Sequence, residues 1–311
     1  MLVYAIGLTT RFRRITVREG MLVEGPAGWG EFCPFAEYDD LECVPWLAAA
    51  VEAAEVGWPA PVRDRVPVNA IVPAVSPSHA FDLVKAAACG TAKVKVADAP
   101  GSLGVDVERV AAVRDALGPG GAVRVDANAA WSVDEAVAAI RALERAAGGL
   151  EYVEQPCPSV AELAAVRRRV DVRIAADESI RRAEDPLRVA VAEAADVAVL
   201  KCAPLGGVRR ALAVAEACGL PCVVSSALQT SVGLAAEIAL AGALPELPFA
   251  CGLGTGALFT VDVVDQPLVP QDGWLSVPRR APIPVPDPAW EALPDRAAWW
   301  AERYARVEAL R

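Results

Sequence analysis

Six ionisable residues stand out by type and spacing: Lys93, Lys95, Asp126, Glu154, Asp177 and Lys201. From Lys95 onward they recur every 23 to 31 residues, about one strand–helix unit of an eightfold (β/α) repeat. Each falls in or just after an apolar run that reads as a strand, so in a barrel all of them arrive at one mouth. Three carboxylates brought that close repel unless a cation lies among them. An all-oxygen set suits a hard divalent ion, and Mg²⁺, with Mn²⁺ as a substitute, keeps open positions for a substrate carboxylate. The single histidine, His79, follows Ser76-Pro77-Ser78 and reads as part of a helix start, and the scattered cysteines offer no zinc alternative.

The lysines point the same way. Lys and Arg together number 30, yet only Lys85, Lys93, Lys95 and Lys201 are lysines. A lysine can lose its proton where an arginine cannot. Lys93 and Lys95 share one face of a strand because side chains alternate. Strands two and six of an eight-stranded barrel stand opposite each other, which sets Lys95 against Lys201 across the pocket. A second amine and a divalent cation both disfavour the ammonium form, and a cation facing two bases is a layout for stabilising an enediolate while a proton moves. A single acid at a strand end is usually a helix cap, and a single strand lysine usually snorkels at an edge. Six such groups in phase, using three of the four lysines, favour chemistry.

The elements that would carry these groups begin at Val66. Strands are expected at Val66–Val72, Ala92–Val96, Ala122–Asp126, Leu150–Glu154, Val172–Ala176, Val197–Lys201, Pro221–Ser225 and Pro248–Leu253, with helical stretches such as Ser132–Ala147 and Val208–Ala217 between them. This is the pattern of an α/β, TIM-type (β/α) barrel. An open doubly wound sheet is the competing fold, and no Gly-rich nucleotide turn supports it. Residues 1–64 read as an α+β unit. Strands are expected at Leu2–Thr9, Phe12–Glu19 and Met21–Glu24, with turns at Gly20 and Gly25-Pro26, then a helix over Leu41–Val56 closed by Gly57. A Pro-rich stretch leads into a tail with Trp290, Trp299 and Trp300. The expected division is 1–64, with 280–311 packing back on it, and a barrel over 65–279.

Bulk properties exclude several classes. In 311 residues, 54% are hydrophobic and 23% charged, so a large core is available. A net charge of −10 without a basic patch argues against nucleic-acid and anionic-membrane partners. The most apolar stretch, around Leu234–Phe259, is interrupted by Glu237, Pro245, Glu246 and Pro248, so no membrane span is expected. No secretory signal is read at the N-terminus, and the eight cysteines form no disulfide framework or CxxC pair. A cytoplasmic protein acting on a small-molecule carboxylate is expected, with the oligomeric state left open and a monomer compatible.

Lys93-Val94-Lys95, Asp126-Ala127-Asn128, Glu154-Gln155-Pro156, Asp177-Glu178-Ser179 and Lys201 together resemble the enolase superfamily, in its muconate-lactonizing-enzyme-like branch. Gly28-Trp29-Gly30-Glu31 resembles that family's N-terminal capping domain, so the resemblance spans nearly the whole chain. Within the branch, Arg124-Val125-Asp126, the segment Ser225–Leu234 and the compact length resemble the o-succinylbenzoate synthases of menaquinone biosynthesis. The resemblance implies that Asp126, Glu154 and Asp177 hold Mg²⁺. It also implies that Lys95 removes the proton alpha to the carboxylate of 2-succinyl-6-hydroxy-2,4-cyclohexadiene-1-carboxylate and returns it to the departing hydroxyl. Lys201 would stay cationic on the opposite face, and Lys93 would hold the pKa and position of Lys95. Arg124 and Asn128 would orient metal or base. Ser225, Ser226 and amides near Gly252 and Gly254 would receive the succinyl carboxylate, and Thr9–Arg14 would form part of a lid.

The same two lysines also suit a racemase, which needs a base on each face. N-acylamino-acid racemase, dipeptide epimerase and muconate cycloisomerase are therefore alternatives, as is a non-catalytic barrel that only binds a ligand. The Asp-x-Asp pair usual at strand eight of dipeptide epimerases is replaced here by Cys251-Gly252-Leu253.

Overall fold

The computed structural model describes residues 1–181 and 188–311. Strands β1 (Leu2–Phe12), β2 (Ile15–Gly25) and β3 (Gly28–Phe32) form an antiparallel sheet in that order. The turn expected at Gly20 lies elsewhere. Gly20 sits inside β2, paired with Tyr4, and the chain reverses at Arg13 and Arg14, whose φ angles are 47° and 67°. Gly20 answers a packing demand instead, since a Cβ there would lie 2.6 Å from the Tyr4 hydroxyl and 2.7 Å from Cys33 Cβ. The helix that follows, Asp40–Val51, opens with an Asp39/Glu42 capping box, widens into a π turn at Glu52–Val56 and ends at Gly57.

β4 (Arg65–Pro67) and β5 (Ala70–Val72) replace the single strand expected over Val66–Val72. β5 begins a parallel sheet that continues through β6 (Thr91–Lys95), β7 (Ala122–Asp126), β8 (Tyr152–Glu154), β9 (Ile174–Ala176), β10 (Val197–Leu200) and β11 (Cys222–Val224). β4 pairs separately with β12 (Trp274–Ser276). The eighth expected strand is not a regular strand. Its residues close the cylinder through two parallel bridges, Cys251 to Val68 and Gly252 to Ser225. Pro248 supplies no ladder donor there. The result is a TIM-type (β/α) barrel.

Register and alternation divide the strand residues between two cores. Val94, Val125 and Val153 stand side by side, as do Ala176 and Ala198, and these face the surrounding helices in the main apolar cluster. The alternate residues Tyr152, Ala175, Val197, Val199 and Val223 turn inward and join Phe249 in a small cluster inside the barrel. Lys95, Asp126 and Glu154 are successive cross-strand partners and belong to the inward set. Glu154 pairs with Ala175, so Asp177, two residues on, shares its face.

The C-terminal helix Pro294–Glu308 packs against the Asp40–Val51 helix. Trp290 and Trp300 are buried with Tyr4, Phe32 and Trp46 in a second apolar cluster, and Trp299 is partly buried beside it. Arg303, also buried, donates to the carbonyls of Phe35 and Tyr38 at 3.0 and 2.6 Å. All eight cysteines are free and buried. His79 lies in the first turn of the Pro77–Ala87 helix, its amide donating to Ser76 Oγ. No helix among the described residues is long and apolar enough to cross a membrane.

Candidate active site

At the C-terminal end of the barrel, Lys93, Lys95, Asp126, Asn128, Lys201, Ser225, Ser226 and Gly252 line one cavity. Phe12 and Arg13, at the tip of the β1–β2 hairpin, line it from above, within the segment expected to form a lid. Thr255, Ile71, Phe35, Trp46 and Leu228 complete much of its wall. The sequence reading did not single out these five, because an apolar or hydroxyl wall carries no spacing signal.

The three acids are almost wholly buried, each about 1% exposed, and each meets a lysine. Lys93 donates to both oxygens of Glu154, at 3.0 and 2.9 Å, and lies 3.4 Å from Asp126. Lys95 donates to Asp126 Oδ2 and to Asn128 Oδ1, the latter at 2.7 Å. Lys201 donates to Asp177 Oδ2 at 2.5 Å. The two lysines of β6 are pushed in opposite directions. Burial lowers Lys95, the Lys93 charge adds to that effect, and Asp126 only partly offsets it. Burial acts on Lys93 too, but Glu154 and Asp126 outweigh it and raise the group. Burial, with Asp126 beside it, pushes Glu154 up to about 7. Burial would raise Asp126 as well, yet Lys95 and Lys93 hold it below the ordinary carboxylate range. Of this pair of like groups Lys95 is therefore the more easily deprotonated.

Neighbouring polar groups fix the strand tips. Asn128, at φ 46°, donates its amide to Asp126 Oδ1 at 3.0 Å while its side chain accepts from Lys95, so it orients both. Gln155, also at positive φ and fully buried, accepts from the amides of Asp177 and Ser179 at 3.0 and 3.2 Å. Non-glycine residues in the left-handed region persist only where surroundings over-determine them, as here. Ser226 Oγ accepts from the Leu228 amide at 2.9 Å and from Thr255 Oγ1 at 2.9 Å, and it shapes the loop after β11. Arg18 reaches from β2 to the Leu228 carbonyl at 2.8 Å.

Two expected site residues have other duties. Arg124, fully buried, lies one inward position below Asp126. It pairs with Glu151 at 2.5 Å, donates to Asn69 and to the Ala250 carbonyl, and stacks on Tyr152. The Gly252 amide donates to the Val224 carbonyl at 2.8 Å and is committed to closing the barrel, so it is not available to a carboxylate. Gly252 serves by lacking a side chain, because a Cβ would come within 2.6 Å of Ser225 Oγ. Gly254 lies beside the Asn69 carbonyl, next to the cavity residue Thr255.

Among the described residues, no three His, Cys, Asp or Glu side chains are arranged as a ready-made metal cage. The donor set nevertheless fits a hard divalent ion. Asp126, Glu154 and Asp177 offer only oxygen, and ammonium groups at 2.5 to 3.0 Å from Glu154 and Asp177 stand where cationic charge is required.

A parallel barrel with buried acids and amines gathered at its C-terminal mouth is the architecture of a barrel enzyme with its active site at that end. A family model described as "Enolase C-terminal domain-like" matches residues 78–282, and one described as "Enolase N-terminal domain-like" matches residues 3–54. The o-succinylbenzoate synthase of Thermobifida fusca (strain YX) is 64% identical over 305 residues, covering 95% of this chain and 96% of the relative. The o-succinylbenzoate synthase of Mycolicibacterium smegmatis is 55% identical over 309 residues, covering 99% and 95%. The fold is shared with the dipeptide epimerase of Enterococcus faecalis V583, solved with Mg and the dipeptide L-Leu-L-Tyr. The TM-score is 0.75 at 21% identity, over 93% of this chain and 98% of that one. The chain belongs to the enolase superfamily and, within it, to the family of the o-succinylbenzoate synthases.

Proposed function

We propose that the chain is an o-succinylbenzoate synthase, catalysing the Mg²⁺-dependent syn dehydration of 2-succinyl-6-hydroxy-2,4-cyclohexadiene-1-carboxylate to 2-succinylbenzoate for menaquinone biosynthesis. The observation that carries this reading is the single cavity lined by Lys95 and Lys201 together with Asp126, within a chain so similar to synthases along its full length. Asp126, Glu154 and Asp177 would hold the cation, which when bound lends positive charge to the substrate carboxylate and acidifies the neighbouring C–H.

Lys95 acts as a neutral amine. Its Nζ takes the alpha proton as the C–H bond breaks, then delivers that proton to the departing hydroxyl as the C–O bond breaks. Water leaves, the ring becomes aromatic, and Lys95 returns to its neutral form. One base serves both transfers because both occur on one face. Lys93, anchored by Glu154, keeps its charge and thereby eases deprotonation of Lys95. Lys201 presents an ammonium to the other face, where it stabilises the electron-rich ring. Ser225, Ser226 and the backbone near Gly254 meet the second carboxylate. Residues 1–64 with 280–311 act as the cap over a barrel of 65–279, bringing Phe12 and Arg13 to the cavity. The compartment is the cytoplasm, where the buried thiols stay reduced.

The deciding assay follows consumption of the cyclohexadiene substrate and appearance of 2-succinylbenzoate, with Mg²⁺ and with a chelator. No dehydration under either condition rejects the reading. Because both lysines line the cavity, N-acylamino-acid racemisation is the alternative reading of the same site. Deuterium exchange into an N-acylamino acid measures it directly.

A further inference from the structure

We infer that Glu237 is a positioning residue of this reaction, tying the turn that carries Lys201 to the loop that carries Ser226. Glu237 is fully buried in the middle of the Ser231–Ala243 helix, where every neighbour along the chain from Gly233 to Gly242 is apolar or glycine. A leucine or methionine would fill the same space without desolvating a carboxylate, so packing alone does not account for it. Its Oε2 accepts from the Cys202 amide at 2.7 Å and its Oε1 from the Ala203 amide at 3.5 Å. These are the first N–H groups of the short helical turn Cys202–Leu205, and such groups have no acceptor within the turn itself. Lys201 is the residue immediately before them. Oε1 also accepts from Gln229 Nε2 at 3.2 Å. Gln229 in turn accepts, through Oε1, from the Ala227 amide at 2.9 Å and meets Ser226 Oγ at 3.2 Å. One buried carboxylate therefore sets the two neighbouring tips of β10 and β11 relative to each other. It touches neither the cavity nor the acids, and it acts through the backbone of Lys201.

This inference rests on the assignment of Lys201 to the reacting face. The variant Glu237→Gln keeps the shape but presents an amide donor where three donors converge. It is expected to lower kcat about tenfold to a hundredfold, with KM for the cyclohexadiene substrate within about threefold and the folded fraction unchanged by circular dichroism. A kcat within about twofold of wild type, or a loss that only follows the unfolded fraction, overturns it. If Glu237→Gln does not fold, Glu237→Asp and hydrogen exchange of the wild type carry the test. The charge-keeping variant should lose less turnover, and the Cys202 and Ala203 amides should exchange as slowly as the β10 amides. Exchange at those two amides as fast as in exposed loops overturns the inference. Lys201→Ala separates the two readings. If it leaves turnover intact, the role of Lys201 fails; if it abolishes turnover while Glu237→Gln does nothing, only the inference about Glu237 fails.

Discussion

Lys93 and Lys95 leave the same face of β6, and the acids divide them. Lys93 is gripped by both oxygens of Glu154, whereas Lys95 meets one oxygen of Asp126 and the side chain of Asn128 at the cavity wall. In the proposed mechanism the first is an anchored charge and the second the base, and burial together with the Lys93 charge lowers Lys95. Arginine at position 95 would preserve positive charge yet could not accept a proton. Lys95→Arg is therefore expected to bind Mg²⁺ with unchanged affinity by calorimetry while turnover falls by about 10³-fold. An active Lys95→Arg enzyme would end the assignment of the base.

Asp126 sits where that division is made. One of its oxygens faces Lys93 and Lys95, and the other accepts from the Asn128 amide. Asn at this position keeps the size and removes the charge. Asp126→Asn should weaken Mg²⁺ binding by at least about tenfold, since cation affinity follows the ligand charge count. Unchanged affinity in a titration of metal-free enzyme would remove Asp126 from the metal set.

Arg124 stands two residues before Asp126 but belongs to the barrel interior below it, paired with Glu151 and stacked on Tyr152. Removing Arg124 strands its acceptors on Asn69 and Ala250 and leaves Glu151, itself 23% exposed, without its partner, which costs about 1–3 kcal/mol. Arg124→Met is expected to lower stability by about that amount in urea unfolding, with KM little changed. A large rise in KM at unaltered stability would return Arg124 to the substrate site.

Most of the barrel was legible because its chemistry is periodic. Alternation placed Lys93 with Lys95, and the strand–helix repeat placed Asp126, Glu154, Asp177 and Lys201 at one end. What escaped was set by contacts distant in sequence. Gly20 looks like a turn, but it is a glycine because Tyr4 and Cys33 crowd it, and the real turn uses two arginines at positive φ, which carry no turn signature. The eighth strand was placed correctly in sequence but closes the barrel through single bridges, a matter of geometry rather than propensity. The amide of Gly252 was available on paper and is taken by Val224 in the fold. Glu237 gave the one signal that could have been used: a lone acid inside an otherwise apolar helix either exposes that helix or has partners built for it.

Those partners give Glu237 a testable pH signature. Burial pushes its carboxyl up to about 7, despite the opposing amides of Cys202 and Ala203 and the Gln229 side chain. A folded pKa raised above the unfolded value of 4.5 means that the folded state binds the proton more tightly. The contribution to stability is thus complete below pH 4.5 and is lost as pH rises through about 7. Glutamine at this position does not titrate, and every other ionisable group is common to both proteins. The stability advantage of wild type over Glu237→Gln should therefore be greatest near pH 5 and narrow by up to about 3 kcal/mol towards pH 8. Urea unfolding of the two metal-free proteins across that range measures the difference directly. A gap that stays constant or widens with pH would show that Glu237 is ionised throughout, and that its three donors outweigh the cost of burying it.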